Sequence, residues 1–150
     1  MRAIFLEKLY EWSLMPYQAL KKNEPWALEI EDLLQYPNPT LGYQMGRFLL
    51  HHNFTLQEKL ENHDVFHVLT GTGITVPEEI SMQFYLLGNG KRSMYLFSVI
   101  FLGALLYPDK LPMFFVKYRR GKTSLPFHQI DFFKLLNQPI ARIKDTFLIQ

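Results

Sequence analysis

The residues best suited to chemistry are His63-Asp64-Val65-Phe66-His67, followed by Gly71, Gly73, Pro77 and the pair Glu78-Glu79. Two imidazoles and a carboxylate stand within five positions, with further carboxylates one turn and one helix later. Imidazole nitrogens and carboxylate oxygens together are the natural ligands of a divalent cation. The chain has no cysteine, so a thiolate nucleophile and a sulfur-ligated metal are both excluded.

Placed on a helix from Leu56 to Thr70 at about 100° per residue, Leu56, Leu60, His63, Asp64 and His67 share one face. Val65, Phe66, Val68 and Leu69 cover the other directions. A helix apolar nearly all round is a buried one, so three polar side chains project from a face given to the interior. Burying them unpartnered costs several kcal/mol, roughly 2–7 per polar group and more for a charge. A divalent metal compensates all three at once. A hydrogen-bonded core cluster or a hydrated face accounts for the same spacing equally well.

The next helix offers a fourth ligand. Thr75 and Glu78 stand in capping-box register, which occupies Glu78 with the helix start. Glu79 falls on the core-directed face with Met82, Gln83 and Leu86, whereas Glu78 falls with Ser81 and Tyr85. The expectation is therefore a metal on His63, Asp64, His67 and Glu79, with Gln83 as an outer partner. A zincin motif fits poorly, because aspartate is short for the catalytic glutamate of that motif and Glu79 comes too soon for its third ligand. A His-Asp phosphohydrolase would need a separate upstream histidine and a far downstream aspartate, for which only His51, His52 and Asp109 are available.

The elements that position these residues read as helices throughout. An opening helix spans about Arg2 to Lys21, interrupted at Pro16, and Pro25 starts a second over Trp26 to Gln35. Pro37-Asn38-Pro39-Thr40 is a turn. A third helix covers Leu41 to His52, with Gly42 and Gly46 on one face inviting close packing. Thr55-Leu56-Gln57-Glu58 resembles a capping box that opens the histidine-bearing helix, which stops at Gly71. Helices follow over Val76 to Leu87, Lys91 to Tyr107, and Lys110 to Arg120, the last capped by a left-handed Gly121. Two short ones lie near His128 to Leu136 and Ile140 to Leu148. No segment alternates as a strand does. The expected architecture is one all-α domain over residues 1–150, a compact helical bundle with a buried metal-bearing helix.

Composition narrows the function classes. With 48% hydrophobic and 15% aromatic residues among 150, the chain is globular. A net charge of +2 argues against nucleic acid as a partner. The absence of cysteine fits a reducing compartment. No signal or transit segment is visible, and the most apolar run, Met94 to Tyr107, falls short of the ~20 residues of a membrane span. These features predict a cytoplasmic protein, with attachment to the inner face of a membrane left open and Met94 to Tyr107 expected as a buried core helix.

Four secondary features carry lesser expectations. Gly88-Asn89-Gly90-Lys91-Arg92-Ser93 opens a helix and could hold a phosphate or other anion on Lys91 and Arg92, or be an ordinary basic surface. Lys117, Arg119, Arg120 and Lys122 form a basic tip that serves as a helix cap or meets anionic lipid. Phe97, Val99, Ile100, Phe101, Leu102 and Leu105 line either an ordinary core or a tunnel for a prenyl tail. His51, His52 and His128 read as surface residues.

His63-Asp64-x-x-His67, then eleven residues, then Glu79, resembles the signature of the coenzyme Q (ubiquinone) biosynthesis family of the fourth Coq protein. His67-Val68-Leu69-Thr70-Gly71, Glu79-Ile80 with Phe84, and the closing order Arg120-Gly121, Leu125, Phe132-Phe133, Pro139, Arg142 and Leu148-Ile149 are similar to it as well. The likeness runs from Leu41 to Ile149. Glu78 stands where that family commonly has glycine, and the N-terminal portion is shorter and diverges. The resemblance implies an all-helical protein with a divalent metal, described as zinc, on His63, Asp64, His67 and Glu79. It further implies oxidative decarboxylation, with a hydroxyl replacing the C1 carboxylate of a prenylated hydroxybenzoate-type precursor. The implied partners are that prenylated aromatic acid or a quinone lipid, a membrane surface and other quinone-biosynthesis proteins. The alternative is a non-catalytic lipid- or quinone-binding scaffold that organises a biosynthetic complex around a structural metal.

Overall fold

The computed structural model describes Ile4 and residues 24–150. The opening helix expected over Arg2 to Lys21, with its interruption at Pro16, lies outside the described residues. The elements are α1 (Ile30–Leu34), α2 (Leu41–His52), α3 (Glu61–Thr70), α4 (Val76–Gly88), α5 (Met94–Leu106), a 3-10 turn (Pro108–Lys110), α6 (Leu111–Thr123), a second 3-10 turn (Phe132–Leu135) and α7 (Ile140–Phe147). No strand occurs among the described residues, and the all-α expectation is met.

Pro25 does not start a helix. The Trp26 amide is spent on Glu61 Oε1 at 2.8 Å, 35 positions away, which holds residues 24–29 outside α1. The helix begins only where Glu29 and Asp32 form a reciprocal cap. That short helix rests on the small face of α2: a β-carbon at Gly46 would sit 3.1 Å from the side chains of Leu33 and Leu34, and one at Gly42 would sit 2.7 Å from the Tyr36 ring. The glycine pair serves close packing, as its spacing suggests.

α2 matches its expected span and ends on Asn53 in the left-handed region. The start of α3 differs. Lys59 adopts φ 66, a conformation no helix can contain, and the Leu60 amide closes a turn on Gln57. The helix therefore starts at Glu61, and Thr55 and Glu58 do not cap it. It stops on Gly71 at φ 60, as expected.

α4 and α6 form the tightest crossing. A β-carbon at Gly88 would fall 2.1 Å from the Tyr118 carbonyl oxygen, and one at Gly121 would fall 2.0 Å from that of Tyr85. Gly121 is thus a contact glycine inside α6, which runs on to Thr123, and not the left-handed cap expected of it. Asn89, buried just past α4, receives the Phe127 amide (3.0 Å) and donates to the Leu125 carbonyl (3.0 Å). These bonds hold the chain after α6 in an irregular path, and only a 3-10 turn forms where a helix over His128 to Leu136 was expected.

The main core gathers Leu33, Met45, Leu49, Val65, Phe66, Met82 and Tyr85 around α2, α3 and α4, with Phe127 and Phe132 closing it. A smaller cluster of Ile80, Phe84 and Phe114 joins α4 to α6. α5 is the exception to its expectation. It is not a buried core helix: only Leu96 and Gly103 are buried, while Met94, Phe101 and Leu105 are 82%, 69% and 65% exposed. The physical reason is its composition. A helix that is apolar on every side buries the stripe that meets Ile80 and leaves the rest uncovered. The exposed placement of Phe97, Phe101 and Leu105 also fits neither an interior tunnel nor an ordinary core. No single described helix is long and apolar enough to cross a membrane, and the turn between Met94–Leu106 and Pro108–Thr123 bends by 101°.

Candidate metal centre

Two helices bring the chemistry together. α3 carries His63 and His67 one turn apart, and the Gly71 cap reverses the chain so that α4 returns with Glu79 in its first turn. The expected division between the two glutamates holds at Glu78. Its carboxylate accepts from the Thr75 amide (3.1 Å) and hydroxyl (2.5 Å), closing the capping box. Glu79 is left to face the histidines.

His67 Nε2 lies 2.9 Å from Glu79 Oε1 and 3.2 Å from His63 Nε2, and His63 Nε2 lies 3.3 Å from Glu79 Oε2. A tetrahedral site with ligand distances of about 2.0–2.1 Å has edges of about 3.4 Å. Each histidine meets a different oxygen of Glu79, and each of these pairwise separations is close to such an edge, so the donor types and their spacing suit a divalent cation. The donor atoms of His63, His67 and Glu79 all lie within 4.8 Å of one another.

The ring of His67 is held from several sides. Its Nδ1 donates to the Thr72 carbonyl at 3.0 Å, an acceptor only, which fixes the tautomer and leaves Nε2 for the cluster. Phe48 of α2 stacks on its face (5.4 Å, 19°), and His63 meets it edge-on (4.9 Å, 77°). The side chain of His67 is 3% exposed, against 17% for His63 and 31% for Glu79, so the cluster is closed behind His67 and open on the Glu79 side.

Electrostatics follow this packing. Burial pushes the Glu79 carboxyl up, but the hydrogen bonds and charge of His63 and His67 prevail and hold it at about 2. Burial pulls His67 down, but its bond to Glu79, then the Glu79 charge and the Thr72 carbonyl, leave it raised. Asp64 is half-buried and is pushed up to about 6, chiefly by burial, with His63 and His67 opposing and Glu79 and Glu61 adding to the rise.

Of the sequence-derived residues, His63, His67 and Glu79 converge. Asp64 lies beside them on α3, and its carboxylate is not one of the three clustered donors. Gln83 is buried one turn beyond Glu79, and its Oε1 has no hydrogen-bond partner among the described residues. Lys91 and Arg92 do not open α5, which is capped by Ser93 and starts at Met94. Arg92 donates to the Leu87 and Lys91 carbonyls (both 2.8 Å), and the Lys91 ammonium lies 5.1 Å from the centre of the Phe66 ring. His52 is packed with Phe48 and Phe54, and His128 bonds Asn89, contacts that spacing did not indicate. Phe48 and Thr72 were likewise missed. Only Thr72 had a signal, because the left-handed cap at Gly71 folds the chain back beside the last turn, where the Thr72 amide bonds the His67 carbonyl.

The model of the family described as "Coenzyme Q (ubiquinone) biosynthesis protein Coq4" matches residues 23–150. This chain belongs to the Coq4 family. Its role therefore lies in ubiquinone biosynthesis. The same fold occurs in a crystal structure from Nostoc punctiforme of a protein assigned provisionally to ubiquinone biosynthesis, with a TM-score of 0.68 and 16% sequence identity over 99% of this chain and 81% of that one. No curated protein matches the sequence. Within the Coq4 signature of this chain, the two histidines and the glutamate are the members that meet in space.

Proposed function

We propose that this Coq4-family chain is a metal-dependent enzyme that replaces the C1 carboxylate of a prenylated hydroxybenzoate-type precursor by hydroxyl, at a membrane surface. The observation that carries the reading is the convergence of His63 Nε2, His67 Nε2 and the Glu79 carboxylate at separations of 2.9, 3.2 and 3.3 Å, a group of donors that could hold one divalent cation and is open on one side. His63, His67 and Glu79 are the ligands in this reading, with Asp64 from the same turn of α3 as the fourth, and zinc, which accepts such nitrogen and oxygen donors, is the metal proposed. Held by these residues, such a cation would supply Lewis-acid polarisation of the substrate carboxylate or the neighbouring phenolate, which requires a coordination position beyond the four protein ligands.

The chain's own residues supply the rest. Glu79, ionised throughout the physiological range, contributes a negative charge that favours a cation over an empty cluster. His67 keeps one nitrogen on Thr72 and presents the other. Asp64, pushed up to about 6 in the metal-free protein, would give up its proton on joining the ligand set. Exchange of carboxylate for hydroxyl is a two-electron oxidation of the substrate, and with dioxygen as the oxidant it balances when dioxygen and water are consumed and carbon dioxide and hydrogen peroxide are released.

The exposed apolar residues of α5, with Met113, Phe115 and Val116 of α6, support the membrane part of the reading. Arg119, Arg120 and Lys122 are exposed at the far end of α6, where anionic headgroups would meet them. The same surface favours a second reading, a lipid- or quinone-binding scaffold whose metal is structural. Metal content of the purified chain and of His67→Ala, together with complementation of a strain blocked at C1 decarboxylation, separates the two. Stoichiometric metal lost in the variant along with rescue supports the enzyme. Full rescue by a metal-free variant ends the catalytic reading.

A further inference from the structure

We infer that Phe48 is a positioning residue for the metal centre, a flat stop that keeps the His67 ring in the plane where Nε2 points at the cluster. The inference rests on His67 being a metal ligand. It starts from what the other contacts leave free. The ring is attached to the helix through its β-carbon, and its Nδ1–H is tied to the Thr72 carbonyl at 3.0 Å. A hydrogen bond tolerates bending, so it limits but does not lock rotation of the ring about its Cβ–Cγ bond, and such a tilt would swing Nε2 away from Glu79 and His63. The torsion that controls this tilt has a broad energy well for histidine, so it supplies little resistance of its own.

Phe48 blocks that motion. Its ring lies 5.4 Å from that of His67 and only 19° from parallel, so one face of the imidazole is covered. The other ring of the pair, His63, approaches edge-on at 77°. Phe48 is itself braced, meeting His52 at 4.8 Å and Phe54 at 6.3 Å in edge contacts, and it packs against the main core. Its position comes from α2, an element that contributes no ligand. The orientation of a ligand on α3 is therefore set partly by where α2 docks. Leucine at this position is apolar and of comparable bulk but presents no flat face.

The test uses the full chain with Phe48→Leu and Phe48→Tyr. Zinc affinity is measured by competition with a chromophoric chelator, the cobalt-substituted protein is followed by its visible spectrum, and the His67 Nδ1–H is followed in the apoprotein by proton–nitrogen NMR. Outer contacts that orient a ligand are typically worth 10–100-fold in affinity. Phe48→Leu should weaken zinc by roughly tenfold or more, alter the cobalt bands and speed exchange of the His67 Nδ1 proton, with unchanged helix content. Phe48→Tyr, which keeps the stacked face, should restore all three. Native zinc affinity together with a native Nδ1–H signal in a folded Phe48→Leu overturns the inference. If Phe48→Leu does not fold, Phe48→Tyr and Phe48→Met carry the same comparison of flat against flexible. Should the unsubstituted chain take up no metal, the metal reading fails and the role at a metal centre falls with it, while the Nδ1–H signal separately shows whether Phe48 orients the His67 ring: unchanged exchange in Phe48→Leu refutes that too.

Discussion

His67 Nε2 and Glu79 Oε1 face each other at 2.9 Å across the α3–α4 junction, and each shifts the other's titration. The Glu79 carboxyl is held at about 2 against 4.5, so in the apoprotein its contribution to stability is present above 4.5 and is lost as pH falls through about 2. His67 is raised from 6.5, so its contribution is present below 6.5 and is lost as pH rises through the raised value. Both are in force together between pH 4.5 and 6.5. Thermal melts of the apoprotein should therefore show Glu79→Gln most destabilised relative to the native chain in that window, with the gap narrowing on both sides. Metal must displace the proton on His67 Nε2, so zinc affinity should rise with pH across neutrality, and calorimetry in buffers of different ionisation enthalpy should register the released proton.

Asp64 carries the opposite sign. Its carboxyl is pushed up from 3.8 to about 6, so the folded state prefers it protonated. Relative stability is full below 3.8 and falls as pH rises through about 6. In the metal-free protein, Asp64→Asn should thus stabilise the fold above pH 7, by about 1–2 kcal/mol once partial exposure is allowed for, and do nothing near pH 3. With zinc present the sign should reverse if Asp64 joins the ligand set, because the amide is the poorer ligand. Chemical denaturation at the two pH values, with and without zinc, reads all four cases.

Gly121 has its α-carbon against the Tyr85 carbonyl, where a β-carbon would lie 2.0 Å from the oxygen. Backbone cannot yield as a side-chain tip can, so Gly121→Ala must part α4 from α6. A loss of about 3 kcal/mol or more is expected in urea denaturation, at the upper end for overpacked sites. Because α4 carries Glu79, zinc affinity should fall in the same variant. Gly71→Ala, with no atom within 4 Å of its added carbon, should cost only the strain of a left-handed alanine, about 1 kcal/mol.

Gly121 also marks where the sequence stops being informative. Helix spacing brought His63, His67 and Glu79 to one place, and the Thr75–Glu78 cap correctly freed Glu79, because both follow from local geometry. Gly121 looked like a helix end, since a glycine beside Arg120 and Lys122 has the composition of a C-cap, and nothing local distinguishes it from a glycine chosen for contact with another helix. Pro25 and Thr55 misled for a related reason: each is a sound helix start until a distant bond, such as the Trp26 amide to Glu61, or a left-handed residue such as Lys59 claims the backbone first. Phe48 was invisible as a site residue because its partner lies on another helix.

α5 is where sequence and structure diverge most usefully. A buried core helix would place Phe101 and Leu105 inside, yet they are 69% and 65% exposed, on a helix with no charged residue. Exposed apolar area of this kind is stabilised by transfer into lipid at about 25 cal/mol per Å² buried, so two large side chains together contribute a few kcal/mol to attachment. Flotation with vesicles of phosphatidylcholine and phosphatidylglycerol should bind the native chain, and Phe101→Asp with Leu105→Asp should weaken binding by at least tenfold. Since both residues point away from the core, the melting temperature and zinc affinity of the double variant should stay native. Retained binding would move the lipid contact away from α5, whereas a variant that stays folded and metal-loaded but leaves the vesicles would separate attachment from the metal centre. Complementation by that variant then asks whether the substrate must be taken from the bilayer.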